Sequence, residues 1–396
     1  MTPGARLAAA IDCLDAIFAG QAAEKVLTSW ARRSRFAGSK DRAAIRDHVF
    51  DVLRAKSSCQ HLGQGTSGRA CILGLCALQG LDAPALFAGG AYAPPALTPP
   101  ELGIWAAHAA HLADARALWN MPEDAATALG RAHPDTAPQI AQQLAARAPV
   151  DLRVNLRKSD LNTAQIALAE AGITSVPVPI SDTALRITDG PRKLRQSAPY
   201  LTGLVELQDA GSQALTDVVT AQVGTDKPLR VLDYCAGGGG KSLAMAAKLQ
   251  GTFVAHDRDP SRMADIAARA ERAGVTIACT NTSDLPAAPS FDVVLCDAPC
   301  TGSGAWRRSP DAKWRFTSDD LGRMAALQRQ VLDAGSAHVA GGGTLAYATC
   351  SLFAEENDAV VDSFLEQHTE FRHADRAQFT PLQGTDGFFI ALMVRE

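Results

Sequence analysis

The sequence has no Cys-x-x-Cys pair, no run of 18 apolar residues and no excess of basic charge. Each absence removes a class of protein. Nine cysteines, an odd number without paired spacing, argue against a disulfide framework and a four-ligand zinc site, and fit a reducing cytoplasm. Without a long apolar run no membrane span is expected. The mildly apolar start is interrupted by Asp12 and Asp15, which speaks against a signal peptide. A formal net charge of -4 argues against a general nucleic-acid coat, although a local basic patch can still bind phosphates. No period of 20 to 50 residues repeats, so a solenoid is not expected.

A chain of 396 residues can bury more than one core. Residues 1 to 145 are rich in Ala, Leu and Gln, and stretches such as Ala106–Leu118 and Pro134–Ala148 have amphipathic helical spacing. Breaks at Gly63–Gly68, Gly89–Gly90 and Pro94–Pro100 divide them into an all-helical domain. Within it, Ser29–Ser57 carries eight Lys or Arg residues against three acids. A solvated helix face and a phosphate-binding surface explain that excess about equally well. Cys71 and Cys76 lie in an apolar helical run and read as core filler.

From 146 to 215 the texture changes to a small α/β linking region. DLRVN and Ser175–Pro179 read as strands, and Asn162–Ala171 and Gly211–Val219 as helices. From 216 to 396 the pattern of strand, Gly-rich turn, helix and strand reads as a doubly wound sheet.

Leu229–Leu249 is an apolar strand, then four consecutive glycines, then a helix. Backbone amides at glycines approach a ligand closely. Asp257 ends the following strand about 20 residues on, where a carboxylate can hold a ribose diol. A P-loop would need Gly at position 235, which is Cys235, and a nicotinamide fingerprint would need Gly at 242, which is Ser242. S-adenosylmethionine fits better, because it carries no pyrophosphate to cradle. Asp233 could hold its ammonium or simply cap the helix.

Cys300 follows one strand, Phe291–Asp297, and Cys350 ends another, Thr344–Ser351. Ligands in open α/β sheets sit beyond the carboxyl ends of the strands, so both cysteines are expected to face one cleft. Thiolate chemistry there has a use in cytosine methylation. C5 is a poor nucleophile until a thiolate adds at C6 and makes it enamine-like. Trp306, Arg307, Arg308, Lys313, Trp314 and Arg315 interleave aromatics and cations, which suits stacking and phosphate contact with an unpaired base, although Trp314 could equally cover the core.

The runs VLDYCAGGGGKS, DAPCTGSGAWRRSPDAKW and YATCS, with RVN (Arg153–Asn155), QDAGSQ (Gln208–Gln213) and DGFF (Asp386–Phe389), resemble the RNA cytosine-5 methyltransferases of the RsmB/Nop2/Sun family. The segment Arg35–Arg54 is similar to part of the NusB-like helical domain of its bacterial branch, which acts on 16S ribosomal RNA. The resemblance implies an α/β Rossmann-like class I methyltransferase preceded by a helical RNA-binding domain. It implies S-adenosylmethionine as cofactor, RNA as partner, no metal, a monomer and a cytoplasmic location. A tRNA substrate and an inactive RNA-binding scaffold stand as alternatives.

By position, Cys350 is then the nucleophile on C6, and Cys300 assists loss of the C5 proton and release of the enzyme. Asp297 binds the N3 and amino edge, and Lys241 fixes the loop and the base. Around the cofactor stand Asp233, Cys235, Ala236, Gly237, Gly238, Gly239, Gly240, Lys241, Asp257, Arg262 and Asp297, with Asn281 or Asp284 at the adenine. Gly238 departs from the family, which has Pro there. Nothing extends beyond DGFFIALMVRE, so target choice is expected to rest on the helical domain and the linking region.

Overall fold

A computed structural model describes every residue except 91, 225 and 286–289. The chain divides into two compact units, Met1–Arg147 with Trp306–Phe316, and Ala148–Ala305 with Thr317–Glu396. No helix among the described residues is long and apolar enough to cross a membrane.

The first unit is helical. Its longer helices are Pro3–Phe18, Ala23–Arg33, Ser39–Arg54, Lys56–Gly63, Gly68–Gln79 and Pro99–Ala117. Local chemistry sets their ends. Thr98 and Glu101 form a reciprocal cap, Glu101 accepting from the Thr98 amide at 2.8 Å, with Pro99 in the first helical position. Leu7, Leu14, Ile45, Val49 and Ile72 form the core, together with Cys59, Cys71 and Cys76. Burial pushes the Cys71 and Cys76 thiols up to about 12, which makes them inert filler as expected.

The segment Trp306–Phe316 completes this unit, and it overturns the expectation of a base-stacking surface. Trp306, Arg307 and Lys313 are buried. Trp306 meets Phe316 edge-on at 5.6 Å. The Lys313 ammonium donates to the Arg54 carbonyl at 3.0 Å, and the Trp314 indole N–H to the Leu53 carbonyl at 2.6 Å. These two donors satisfy carbonyls that the end of helix Ser39–Arg54 leaves open, and the cation meets the negative end of its dipole. Burial, with the Arg54 charge adding to it, pushes the Lys313 pKa down to about 7. Arg308 and Arg315 alone among the six remain exposed.

The basic segment divides in two. Arg46 pairs with Glu24 and Arg54 with Asp51, Arg42 donates to the Ala37 carbonyl, and Lys56 lies over the Phe18 and Trp314 rings. Arg32, Arg33, Arg35 and Lys40 are exposed and make no ion pair among the described residues.

The second unit holds two sheets. The smaller, β1 (Val150–Val154), β2 (Thr174–Pro177), β3 (Ala184–Asp189) and β4 (Val205–Leu207), is antiparallel in the order β2-β3-β1-β4. Helix Leu161–Glu170 lies between β1 and β2 in the chain, the split β-α-β arrangement of ferredoxin-like sheets. The larger sheet comprises β5 (Leu229–Asp233), β6 (Gly251–His256), β7 (Ala278–Thr280), β8 (Phe291–Asp297), β9 (Val339–Thr349), β10 (Phe371–Phe379) and β11 (Phe388–Arg395). Its order is β10-β11-β9-β8-β5-β6-β7. The pairs from β9 through β8, β5 and β6 to β7 are parallel, and β11 runs antiparallel to β9 and β10. Strand order reverses between β5 and β8, so a crevice opens beyond their carboxyl ends. This is the doubly wound sheet expected from the sequence.

The motifs upstream of this sheet act as bolts. Asn155 of RVN donates to the Gly203 and Ala273 carbonyls. Gln213 of QDAGSQ is fully buried and donates to the Leu152 and Gln208 carbonyls. Asp209 receives the Gly211 and Asp386 amides and the Thr385 hydroxyl.

Candidate active site

A cavity of about 940 Å³ lies at the crevice, within the size range of small-molecule sites. Four strand ends frame it. Tyr234, Cys235, Ala236, Gly237 and Gly238 follow β5, Asp257 follows β6, Asp297 ends β8, and Cys350 follows β9. The glycine turn is shaped by backbone demands. Gly239 has φ +77°, and a Cβ there would meet Ile266 at 2.9 Å, so no side chain fits. Gly238 lacks a positive φ, and a Cβ there would meet only the far end of the Arg269 side chain at 3.1 Å.

Asp257 is buried and accepts from the Gly237 amide at 2.9 Å, the Asp259 amide at 3.0 Å and the Arg262 guanidinium at 3.0 Å. A carboxylate offers roughly four lone-pair positions, so one is left toward the cavity. Arg262 is 59% exposed and free to swing, which would open a second for a diol.

Asp233 ends β5 and turns one oxygen to the first turn of the helix that begins at Gly240. It is 1% exposed, accepts from the Ser242 hydroxyl at 2.6 Å and does not line the cavity. Burial, opposed by the Ser242 bond, pushes its carboxyl up to about 7. Its other oxygen, Oδ1, is buried and has no hydrogen-bond partner. Gly239, Gly240, Lys241, Asn281 and Asp284 are also absent from the lining. Asn281 and Asp284 bond each other at 3.3 Å, and Thr282 between them is the residue on the wall. The Thr282 hydroxyl lies 2.8 Å from His256 Nε2, and the His256 ring stacks on Tyr234 at 4.6 Å. The opposite wall, Leu327, Gln330, Val331 and Ala334, comes from one face of helix Ser318–Ser336. An apolar helix face carries no motif, which is why sequence reading passed over it.

The Sγ atoms of Cys300 and Cys350 lie 3.4 Å apart on the cavity wall. The contact with Cys350, then burial, drives the Cys300 thiol well above its ordinary range. Beside them the Lys241 ammonium donates to Asp297 Oδ2 at 2.6 Å. Burial would lower the Lys241 pKa, but the charge and hydrogen bond of Asp297 outweigh it and hold the amine protonated, with Cys350 also among the charges that favour it. The Gly387 amide donates to the Gly304 carbonyl at 2.9 Å, and the Gly304 amide donates to the Cys350 carbonyl at 2.9 Å. A Cβ at Gly304 would meet the Gly387 carbonyl oxygen at 2.2 Å. This close approach ties the DGFF segment to both cysteine loops.

A family profile described as "16S rRNA methyltransferase RsmB/F" matches residues 224–394, the whole of the sheet that carries this cavity. The chain belongs to this family. A second profile, the ferredoxin-like domain of RsmF/B-like methyltransferases, matches residues 122–192. A ribosomal RNA small subunit methyltransferase B from Erwinia tasmaniensis is 33% identical over 282 residues, 68% of this chain and 65% of the relative. That from Vibrio cholerae is 31% identical over 68% of this chain and 64% of its own. The chain thus spans just under two thirds of the curated relatives it matches. Among solved structures, NSun6 from Pyrococcus horikoshii with SFG aligns at TM-score 0.60 and 18% identity, over 69% of this chain and 98% of that one. A methyltransferase homologue from the same organism gives TM-score 0.57 at 24% identity, over 70% and 100%. These two share the fold.

Among the described residues, one group of side chains with metal-ligating chemistry comes together: His61, His111 and Asp114, with ligand atoms within 4.8 Å of one another. It lies in the helical unit, and none of the three lines the cavity.

Proposed function

We propose that the chain methylates C5 of a cytosine in 16S ribosomal RNA, with S-adenosylmethionine as methyl donor, in the cytoplasm. The observation that carries this is the pair of thiols, 3.4 Å apart, on the wall of a cavity that also holds the glycine turn and Asp257. The residues fit such a cofactor. Asp257 would take the ribose, the Gly237–Gly238 backbone the methionine end, and Thr282 with the apolar face of helix Ser318–Ser336 the adenine. The group supplies an electrophilic methyl on a sulfonium.

The chain's own residues do the rest. The Cys350 thiolate forms a bond to C6, and the C5–C6 π electrons move onto C5 and toward N3. Asp297, held by Lys241, accepts from the amino group at that edge, and the Lys241 cation beside it offsets the charge that gathers toward N3. After C5 has gained its methyl group, Cys300 as thiolate takes the C5 proton. The C–H electron pair restores the C5–C6 double bond, and the C6–S bond breaks to return Cys350 as thiolate.

Calorimetric titration with S-adenosylhomocysteine should show one site, and labelled methyl should enter small-subunit RNA at cytosine C5. Binding of ATP–magnesium in its place, or label in tRNA alone, would overturn the reading.

The organisation proposed is a helical RNA-binding domain over 1–145, a linking region over 146–215 and a methyltransferase domain over 216–396. RNA contact by the first of these is supported by the four exposed cations, Arg32, Arg33, Arg35 and Lys40. Replacing Arg32, Arg33 and Arg35 by Ala should lower the slope of log affinity against log salt by roughly 2–3 units, near one per phosphate contact. A slope equal to that of the parent in the folded variant would make this segment an ordinary solvated face.

A further inference from the structure

Glu356 is fully buried in the 3₁₀ turn Ala354–Glu356, six residues past the nucleophile of the proposed reaction. Its carboxylate receives four donors. Oε1 accepts the Thr301 amide at 2.8 Å and the Gln328 side-chain amide at 3.0 Å. Oε2 accepts the Thr301 hydroxyl at 2.6 Å and the Ser351 hydroxyl. These fill the roughly four lone-pair positions a carboxylate has. The partners matter more than their number. Thr301 directly follows Cys300, and Ser351 directly follows Cys350.

Two neighbours extend the clamp. The Gln328 amide also donates to the carbonyl of Pro299, the residue before Cys300, at 3.0 Å. Asn357 accepts from the Thr349 hydroxyl at 2.6 Å and donates to the Ser351 carbonyl at 3.0 Å, so it grips the residues on both sides of Cys350. Both cysteines sit on loops beyond strand ends, where backbone freedom is greatest. One carboxylate with its neighbours ties the two loops together behind the thiols and leaves the sulfurs facing the cavity.

We infer that Glu356 is a positioning residue that sets the separation of the two reactive thiols by holding the residue that follows each. It touches neither substrate nor cofactor in the proposed reaction. This inference rests on that reaction for its purpose, but its geometry does not depend on it. A satisfied polar network of this kind fixes one arrangement of its loops, and a half-satisfied one loosens it.

The test measures the thiols directly. The reduced full-length protein is treated with diamide, which accepts two electrons and two protons as Cys300 and Cys350 join in a disulfide, and the bridged peptide is followed by mass spectrometry. In the parent the bridge should form quickly, as the 3.4 Å contact dictates. Glu356→Ala should slow it at least about tenfold, a loss of the proximity that the clamp maintains. Glu356→Gln, which keeps one oxygen, should fall between the two. In methylation assays kcat should drop in the same order, while affinity for S-adenosylhomocysteine stays that of the parent. A role in folding alone would lower the thermal midpoint without this ordering. Equal bridging rates in the parent and in folded Glu356→Gln and Glu356→Ala would overturn the inference, and so would a parent that bridges slowly. If bridging follows the expected order but no variant, nor the parent, methylates RNA, the clamp stands and the proposed reaction falls.

Discussion

Cys350→Ala is expected to abolish methyl transfer and leave no protein–RNA band on a denaturing gel, whereas Cys300→Ala should accumulate one. Without the Cys350 sulfur, C5 is never made nucleophilic. The Gly237–Gly238 turn and Asp257 are untouched, so affinity for S-adenosylhomocysteine should stay near that of the parent. Without the Cys300 sulfur, addition at C6 and methylation at C5 still proceed. The C5 proton then has no thiolate 3.4 Å from the attacking sulfur to receive it, and elimination stalls. The measurement is gel electrophoresis after incubation with cofactor and labelled RNA, with the double variant as control. A band from Cys350→Ala alone would exchange the roles. No band from either, with RNA still bound, would remove the covalent mechanism.

Trp306→Ala should destabilise the protein by about 3–5 kcal/mol, the usual cost of removing a fully buried aromatic side chain. For a unit of this size that is a fall in melting temperature on the order of 10 °C. The indole is 2% exposed and packs edge-on to Phe316, so its loss leaves a cavity beside a ring that had been covered. Circular dichroism on heating would report it. A melting curve matching that of the parent, with RNA affinity reduced by about 1–3 kcal/mol, would restore the base-stacking role that the sequence suggested.

That reversal shows where sequence reading works and where it fails. The strand, glycine turn and helix of Leu229–Leu249 could be read because each local signal agrees with the others. The two cysteines could be placed on one cleft because chain direction in a parallel sheet puts all strand ends together. Trp306, Arg307 and Lys313 could not, because aromatics and cations look alike whether they stack on a base or cap a helix. Lys313 is the sharpest case, a lysine with no exposed surface whose ammonium serves a backbone carbonyl. The position of Asp233 at a strand end suits both a ligand ammonium and a helix cap, and does not say which way the side chain turns. The start of β9 was missed for a different reason. The expected strand begins at Thr344, whereas β9 also takes in Gly341, Gly342 and Gly343, where Gly342 has φ +74° and pairing with β8 shifts register. The wall of helix Ser318–Ser336 and the Glu356 clamp gave no signal, since their parts are far apart in sequence and unremarkable singly.

The return of Trp306–Phe316 to the helical unit has a consequence for how the protein is made. As the chain leaves the ribosome, its first 147 residues emerge long before the strip that finishes their fold. Until residue 316 is out, the carbonyls of Leu53 and Arg54 lack the donors that Trp314 and Lys313 later supply. Domains usually fold in order of synthesis. Here the earlier unit must wait, half-capped, while most of the first strands of the second are being translated. A fragment cut at residue 147 would lack both of these donors.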